Sequence, residues 1–220
     1  MSAESLLVVE SVVKRYGETL AVDGVSLRVG AGEVYALVGA NGAGKSTLIR
    51  MMTGLSEPDA GTVTVCGEDM RKRPLAAKRR VGYLPEELYF YQRLTGREYL
   101  RLVAGLKGAD ETRAAEEAEF FELKAVEGKW VGGYSLGMRK KLGLAAAFLG
   151  SPRVLVLDEP LNGLDVEMMR KLRLRVERAA DRAGVMSRGR VVAEGTPAEL
   201  RRLAGMPDEP FEDVFFRLAR

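Results

Sequence analysis

Short apolar runs separated by glycine fill the first third of the chain. They cover residues 6–13, 25–29, 34–38 and 62–65. Their length and their content of valine and leucine predict strands. After the third run, a pattern of helical spacing begins at Lys45 and stops before Gly54, which predicts one helix directly behind a strand.

The middle of the chain has the spacing of helices instead. Thr95 and Glu98 form a predicted capping box at the start of a helix that ends near residues 105–108. Two further helices are expected over residues 114–123 and 135–149, the second with Ser135 as its N-cap.

The last third returns to strands. The uniformly apolar run 154–157 predicts a strand buried on both faces of a sheet. A long charged helix is expected over residues 165–182, followed by a strand over 191–193. A second capping box begins at residue 196. Strands on both sides of a helical insert predict an α/β fold.

Composition narrows the class of protein. The 220 residues are 46% hydrophobic and 30% charged, which is typical of a globular domain and excludes disorder. The net charge of +3 is too small to indicate nucleic-acid binding. Histidine is absent, and the single Cys66 forbids an intramolecular disulfide. No apolar run approaches the roughly 20 residues of a spanning helix and the N-terminus does not resemble a signal peptide, so a cytoplasmic location is expected.

Residues 39–47 match the P-loop pattern, between a predicted strand and a predicted helix. Its members are Gly39, Ala40, Asn41, Gly42, Ala43, Gly44, Lys45, Ser46 and Thr47. Glycines let backbone N–H groups approach phosphates, and the helix N-terminus adds its positive end. Lys45 would reach the β- and γ-phosphates, and Ser46 would offer its hydroxyl to Mg²⁺. The alternative is a glycine-rich turn that only caps a helix.

Two acids follow the buried strand 154–157. The strand delivers Asp158 to its carboxyl end, where ligands of α/β proteins bind. Asp158 would hold Mg²⁺ through water, and Glu159 would take a proton from an attacking water. The alternative is a pair of acids that cap the strand, with Pro160 forming the turn.

A serine-capped helix start, residues 134–138, precedes these acids and offers a second anion-binding N-terminus, although taken alone it indicates only a capped helix. Together with the P-loop, the Asp158-Glu159 strand and the segment 161–165, it makes the sequence resemble the ATP-binding subunits of ABC transporters over nearly the whole chain. The variant helix start and the segments 186–190 and 212–218 are similar to the exporter branch of that family.

The resemblance implies a P-loop NTPase core, a mixed sheet flanked by helices, with an antiparallel β subdomain and a helical subdomain. Residues 1–220 would form one ABC ATPase domain, with 1–85 and 151–220 as the core and about 86–150 as the helical, signature-bearing subdomain. It implies an ATPase that uses ATP and Mg²⁺ and pairs head to tail with a second ATP-binding subunit. It would power a separate membrane permease from the inner face of the membrane.

The resemblance also assigns roles to single residues. Tyr16 would stack on adenine, although an ordinary edge aromatic explains it as well. The signature residues, which would contact the ATP of the partner subunit, are Ser135, Leu136, Gly137 and Met138. Asn162 and Asp165 would lie in a loop at the dimer interface. Glu86 stands where the family has a glutamine, and its carboxylate would serve as a third ligand of Mg²⁺.

One departure from the family is larger. The family places a buried strand and a loop histidine after the Asp165 loop, and this sequence has no room for them before Gly189. Either the sequence omits residues of the natural protein, or the protein lacks them. A missing interior strand exposes an unpaired sheet edge, which favours omission. A real deletion would spare ATP binding and impair hydrolysis.

Two other functions remain open. One is a soluble ABC-type ATPase that acts on ribosomes or DNA. Such proteins usually carry paired cassettes or a long coiled-coil insert, which this sequence lacks, and its net charge of +3 is small. The other is an ATP-binding regulatory module with impaired hydrolysis, which only the absence of histidine supports.

Overall fold

A computed structural model describes residues 4–176 and 180–219. These residues form two compact units, residues 4–77 with 180–219 and residues 78–176. The first unit contains β1 (Ser5–Tyr16), β2 (Thr19–Gly30), β3 (Tyr35–Gly39), α1 (Lys45–Met52), β4 (Ala60–Val65), β5 (Glu68–Asp69), β8 (Arg182–Ser187), β9 (Arg190–Gly195), α7 (Pro197–Ala204) and α8 (Phe211–Leu218). The second contains β6 (Val81–Leu84), α3 (Gly96–Lys107), α4 (Glu111–Phe120), α5 (Leu136–Phe148), β7 (Val154–Leu157) and α6 (Val166–Val176), and α2 (Pro74–Arg79) spans the boundary.

The first unit contains an antiparallel sheet in the order β2-β1-β4-β5. Three of the predicted strands lie inside β1, β2 and β4. Valine and leucine side chains from one face of these strands are buried, including Val9, Val12, Val22 and Val63. This alternation drives pairing because it buries one face of each strand. The expected antiparallel β subdomain is therefore present.

A second sheet of the same unit has the order β3-β8-β9. β3 runs parallel to β8, with Tyr35 opposite Arg182 and Gly39 opposite Met186, and β9 returns antiparallel. Its buried Val185 packs in one cluster with Leu200 of α7 and Val214 of α8. Parallel strands covered by helices are typical of an α/β fold, so the predicted fold class is confirmed.

The expectation for residues 165–182 was partly wrong. Helix α6 occupies Val166–Val176, and residues 177–179 lie outside the described residues. The chain then forms strand β8 from Arg182, before Gly189, where the sequence pattern had indicated no strand. The run Ala-Gly-Val-Met within β8 is short, and its pairing with β3 and burial, rather than local propensity, make it a strand.

The second unit combines a two-stranded parallel ladder, β6 with β7, and the helices α3 to α6. Its core contains Leu84, Leu100, Phe121, Leu142 and Met168. The capping box of Thr95 and Glu98 starts α3, and Ser135 caps α5, as predicted. The predicted helical subdomain, about residues 86–150, lies wholly inside this unit, together with β6, β7 and α6.

The parallel strands β3 and β7 belong to different sheets. Within the described residues no strand pairs with both of them. This agrees with the shortage of chain found before Gly189. Over the same residues, no helix has the length and apolar character needed to cross a membrane.

Candidate functional site

Two close backbone approaches shape the loop between β3 and α1. A Cβ on Gly39 would lie 2.6 Å from the carbonyl oxygen of Met186 in β8. Gly44 has φ +103°, a left-handed conformation, and a Cβ there would collide with the carbonyl oxygen of Ala21. Only glycine fits both positions, because there is no space for a side chain at Gly39 and neither space nor a suitable backbone angle at Gly44. The glycines of the P-loop pattern thus hold this loop against β8 and β2.

Helix α1 begins directly after this loop without a side-chain cap. Gly44 is the N-cap residue, no acidic side chain lies in the first turn, and the first helical N–H bond runs from Leu48 to the carbonyl of Gly44. The N–H groups of the first turn have no partner within the helix, and the helix dipole adds positive potential there. The arrangement suits an anion such as a phosphate.

Lys45 is the first residue of this helix, and its side chain folds back onto the loop. Its Nζ donates hydrogen bonds to the carbonyl oxygens of Gly39, at 2.6 Å, and Ala40, at 3.1 Å. The ammonium is therefore held inside the loop. Ser46 is exposed and Thr47 is half-buried in the same turn. Asn41 and Gly42 lie exposed at the tip, and Ala43 is buried beneath them.

Tyr16 is the last residue of β1 and remains half-exposed. It pairs with Thr19 across the turn to β2, and the Lys14 ammonium lies 5.7 Å from the centroid of its ring. An exposed ring on a strand end can offer a face to a planar ligand.

In the second unit, three of the predicted site acids follow one edge of the β6–β7 ladder. The strands are in register from Val81 opposite Val154 to Leu84 opposite Leu157. The N–H of Asp158 donates to the carbonyl of Leu84 at 2.9 Å and extends the ladder by one residue. Because both strands end here, Glu86 and the pair Asp158-Glu159 follow the same sheet edge.

Glu159 adopts an unusual backbone conformation. Its φ is +47°, in the left-handed region that residues other than glycine rarely enter. Its side chain accepts a hydrogen bond from the Asn162 amide at 3.3 Å. Such strain is common where a side chain must point in a fixed direction. Strand β7, which ends just before Glu159, is half-buried after Val154 and belongs to a two-stranded ladder, so it is not buried on both faces as predicted.

The serine-capped start of α5 meets the loop 161–165. The Ser135 hydroxyl accepts the N–H of Met138 at 3.3 Å, and Leu136 is exposed. A Cβ on Gly137 would lie 3.0 Å from the carbonyl of Gly163. Two motifs that are separated in the sequence are therefore adjacent in the fold.

Asp165 closes that loop and is held from two sides. It accepts the N–H of Met168 at 2.8 Å and forms an ion pair with Lys141 at 3.0 Å. The Met168 N–H, followed by the Lys141 ammonium, lowers the pKa of the Asp165 carboxyl, so this acid stays ionised at neutral pH.

The candidate magnesium ligands do not form a cage of acids. In the described residues, no group of three or more histidine, cysteine, aspartate and glutamate side chains is arranged to hold a metal ion. Ser46 belongs to the first unit, and Glu86 and Asp158 to the second. One hydroxyl and carboxylates are hard oxygen donors, the kind that Mg²⁺ takes alongside substrate phosphates and water.

Sequence reasoning missed one charged residue of the second unit, Lys140. It is only 3% exposed, and its electrostatic neighbours are Asp158, Glu159 and Glu86. Its spacing could have revealed it, since Leu144 and Ala147, four and seven residues later, lie on the same buried face of α5.

Comparison with known proteins places the chain in a family. The ABC transporter family matches residues 22–162. The chain is 38% identical to the daunorubicin resistance ATP-binding protein DrrA3 of Streptomyces coeruleorubidus, over 92% of this chain and 72% of that protein. It is 35% identical to the bacitracin transport ATP-binding protein BcrA of Enterococcus faecalis, over 92% of this chain and 73% of that one. The first alignment spans 227 positions, more than the 220 residues here, so that relative has internal residues with no counterpart in this chain.

Solved structures of related proteins have the same fold as this chain. A structure described as the ATP-binding subunit of an ABC transporter superposes with a TM-score of 0.91 at 30% identity, covering 98% of this chain and all of the other. The ATP-binding cassette MJ0796, described as dimeric and bound to ADP and Pi, has the same fold, with a TM-score of 0.77 at 22% identity over 86% of this chain and 98% of that one. The chain belongs to the ATP-binding domains of ABC transporters.

Proposed function

We propose that the chain binds ATP at residues 39–47 and hydrolyses it to power a separate membrane permease. The observation that carries the proposal is the loop before α1. Its glycines are sterically fixed, its helix N-terminus is uncapped, and Lys45 is held over it. These features give a phosphate chain several N–H donors and one ammonium at short range.

Lys45 would change partners when ATP binds. Its two bonds to neutral carbonyls would be exchanged for bonds to the β- and γ-phosphates, which carry negative charge and bind an ammonium more strongly. Tyr16 would stack on the adenine ring through its exposed face.

Glu159 would act as the general base for the attacking water. Its strained backbone and the bond from the Asn162 amide fix the direction of its carboxylate. Ser46, Asp158 and Glu86 would hold Mg²⁺, which when bound neutralises charge on the phosphates. The ammonium of Lys45 would stabilise the charge that develops during in-line attack.

The start of α5 and the loop 161–165 would form the face toward a second ATP-binding subunit. Ser135 offers a capped, anion-compatible helix start, which exposed Leu136 and half-buried Met138 continue. Asn162 and Asp165 lie in the adjacent loop. The backbone of this loop approaches Gly137 closely at Gly163. A head-to-tail pair would bring this face onto the ATP of the partner.

A relative in Burkholderia orbicola, 40% identical and named for Nod factor export, favours an exporter. The permease would hold the chain at the inner face of the cell membrane. A regulatory module without turnover is the second candidate, and the divided parallel sheet is the observation that favours it.

Steady-state ATP turnover tests the proposal. The unaltered chain is expected to release phosphate from Mg-ATP, and Glu159→Gln is expected to lose about 10²–10⁴-fold in rate, the usual contribution of a general base. The matched control is Glu119→Gln, which removes an acid from a surface ion pair with Lys124 in the same unit and should leave turnover unchanged. A Glu159→Gln variant as active as the control would contradict the assignment.

A further inference from the structure

Glu122 follows helix α4 in a backbone conformation that normally belongs to glycine. Its φ is +57°. The N–H groups of Glu122 and Leu123 bond back to carbonyl oxygens inside α4, at 3.0 and 2.7 Å. This is the Schellman arrangement that ends a helix, and its left-handed position is usually glycine because a Cβ is strained there. A glutamate at this position points to a use for its side chain.

The Glu122 carboxylate accepts hydrogen bonds from ammonium groups on two other helices. Lys141 of α5 donates to one oxygen at 2.8 Å, and Lys171 of α6 donates to the other at 2.5 Å. These bonds hold the pKa of the Glu122 carboxyl below its usual range, so it is ionised at neutral pH. Phe121 and Leu123, on either side of Glu122, are buried, so the main chain that carries the carboxylate is fixed. One side chain thus links α4 to α5 and to α6.

Lys141 connects the same carboxylate to the loop 161–165. Its ammonium also lies 3.0 Å from a carboxylate oxygen of Asp165, and its side chain is only 15% exposed. The other oxygen of Asp165 accepts the N–H of Met168 in the first turn of α6. An isolated ion pair on the surface contributes little to stability. Here, however, two carboxylates share one largely buried ammonium within a network of charges.

This network holds together the two parts of the face proposed for the partner subunit. The loop backbone at Gly163 approaches Gly137, in the first turn of α5. One turn further along the same helix, Lys141 binds Asp165. Lys171 attaches α6, the helix that follows the loop, to the same glutamate. Glu122 is therefore the common anchor of α5 and of the segment that carries the loop.

We propose that Glu122 is a positioning residue that, through Lys141, fixes the loop 161–165 against the start of α5 and so prepares this face for association. The role in association rests on the proposed function, in which a second ATP-binding subunit meets this face. The positioning itself does not, because every group in the network belongs to this chain.

Two substitutions of Glu122 separate this role from a purely structural one. Glu122→Gln keeps the size of the side chain and removes its charge. Glu122→Gly removes the whole side chain, and glycine suits a φ of +57°, so this variant should keep or raise the urea midpoint. If Glu122 only ended the helix, glycine would serve at least as well in every measurement.

Association in the presence of ATP is the first test. In the Glu159→Gln background with Mg-ATP, both substitutions should raise the dimer dissociation constant by about tenfold, as for residues coupled in one network. The affinity of the dilute monomer for ATP should not change, since the P-loop belongs to the other unit. The matched control is Glu119→Gln, near the end of the same helix, which should leave the dissociation constant unchanged. Equal dissociation constants for the Glu122 variants and the control would overturn the proposal.

Amide hydrogen exchange of the nucleotide-free chain is the second test, and it needs neither ATP nor a partner. Residues 162–168 should exchange about tenfold faster in both Glu122 variants, because the loop opens more easily once its anchor is removed. The Glu119→Gln control should keep the unaltered rate. Unchanged exchange in the Glu122 variants would contradict the positioning. If the Glu159→Gln chain forms no dimer at all, the proposed function fails, and the exchange measurement still decides on Glu122.

Discussion

Gly39 shows how the absence of a single Cβ determines the position of the P-loop backbone. Gly39→Ala would place a methyl group 2.6 Å from the Met186 carbonyl, so the loop must shift away from β8. We expect a loss of about 1–3 kcal/mol in the free energy of unfolding and a clear loss of ATP affinity. Urea unfolding and ATP titration measure both effects.

Gly105→Ala is the matched control for that substitution. Gly105 lies inside α3, and a Cβ there meets nothing within 4 Å. We expect this variant to gain about 0.5–1 kcal/mol, because alanine is the better helix former. Equal effects of the two substitutions would contradict the steric account of Gly39.

Glu86 is a second single-residue test. It follows β6 at the same edge as Asp158 and Glu159, where its negative charge adds to theirs. We expect slower or more Mg²⁺-dependent turnover than in a Glu86→Gln variant. Rates that stay equal for the two proteins across a Mg²⁺ titration would refute this.

Short sequence motifs predicted where single residues lie in the fold when the motif occupies one loop. The pattern 39–47 located two glycines that the fold requires, and the pair Asp158-Glu159 was expected at a strand end and lies there. Lys140 was missed because a lysine in a charged helix is usually solvated. Only the packing of α5 on β6 shows that its side chain is buried.

At the scale of elements, one arginine connects α6 to α4 and α5. Arg175 forms two hydrogen bonds to the buried Glu117, at 2.7 and 2.8 Å. Its guanidinium also lies 4.3 Å from the Phe120 ring and 4.1 Å from the Phe148 ring. Planar geometry suits both contacts, so a lysine cannot replace this arginine.

Arg175→Met should destabilise the second unit strongly, because it leaves the Glu117 carboxylate buried and unpaired. We expect a loss of about 3 kcal/mol in the free energy of unfolding, measured with urea. The double variant Glu117→Gln with Arg175→Met should recover much of that loss. Equal instability of the single and double variants would contradict the pairing.

Three helix starts were predictable from sequence because capping is local: the capping boxes at Thr95 and Thr196 and the N-cap at Ser135 formed as expected. The expectation of a helix over 114–123 was wrong at both ends, because Asp110 caps α4 and the helix runs over Glu111–Phe120. Strand β8 was not predictable, because its partner β3 lies far away in sequence. A charged run before it therefore suggested a longer α6 than the structure has.

At the scale of the whole chain, the parallel strands fall into two sheets, with β3 in one and β7 in the other. The alignment with DrrA3 spans 227 positions, more than the 220 residues of this chain. Residues omitted from the sequence and a real deletion would both produce this difference. We expect the natural protein to carry additional residues. Intact mass spectrometry would then give a mass above 24.1 kDa, and a mass equal to it would show a real deletion.

The nucleotide that stays with the Glu159→Gln variant after incubation with Mg-ATP tests the central claim most directly. We predict that this variant retains ATP and elutes as a dimer. The unaltered chain and the Glu119→Gln control should yield ADP and elute as monomers. A Glu159→Gln variant that converts ATP to ADP like the control, or that carries no nucleotide, would contradict the account.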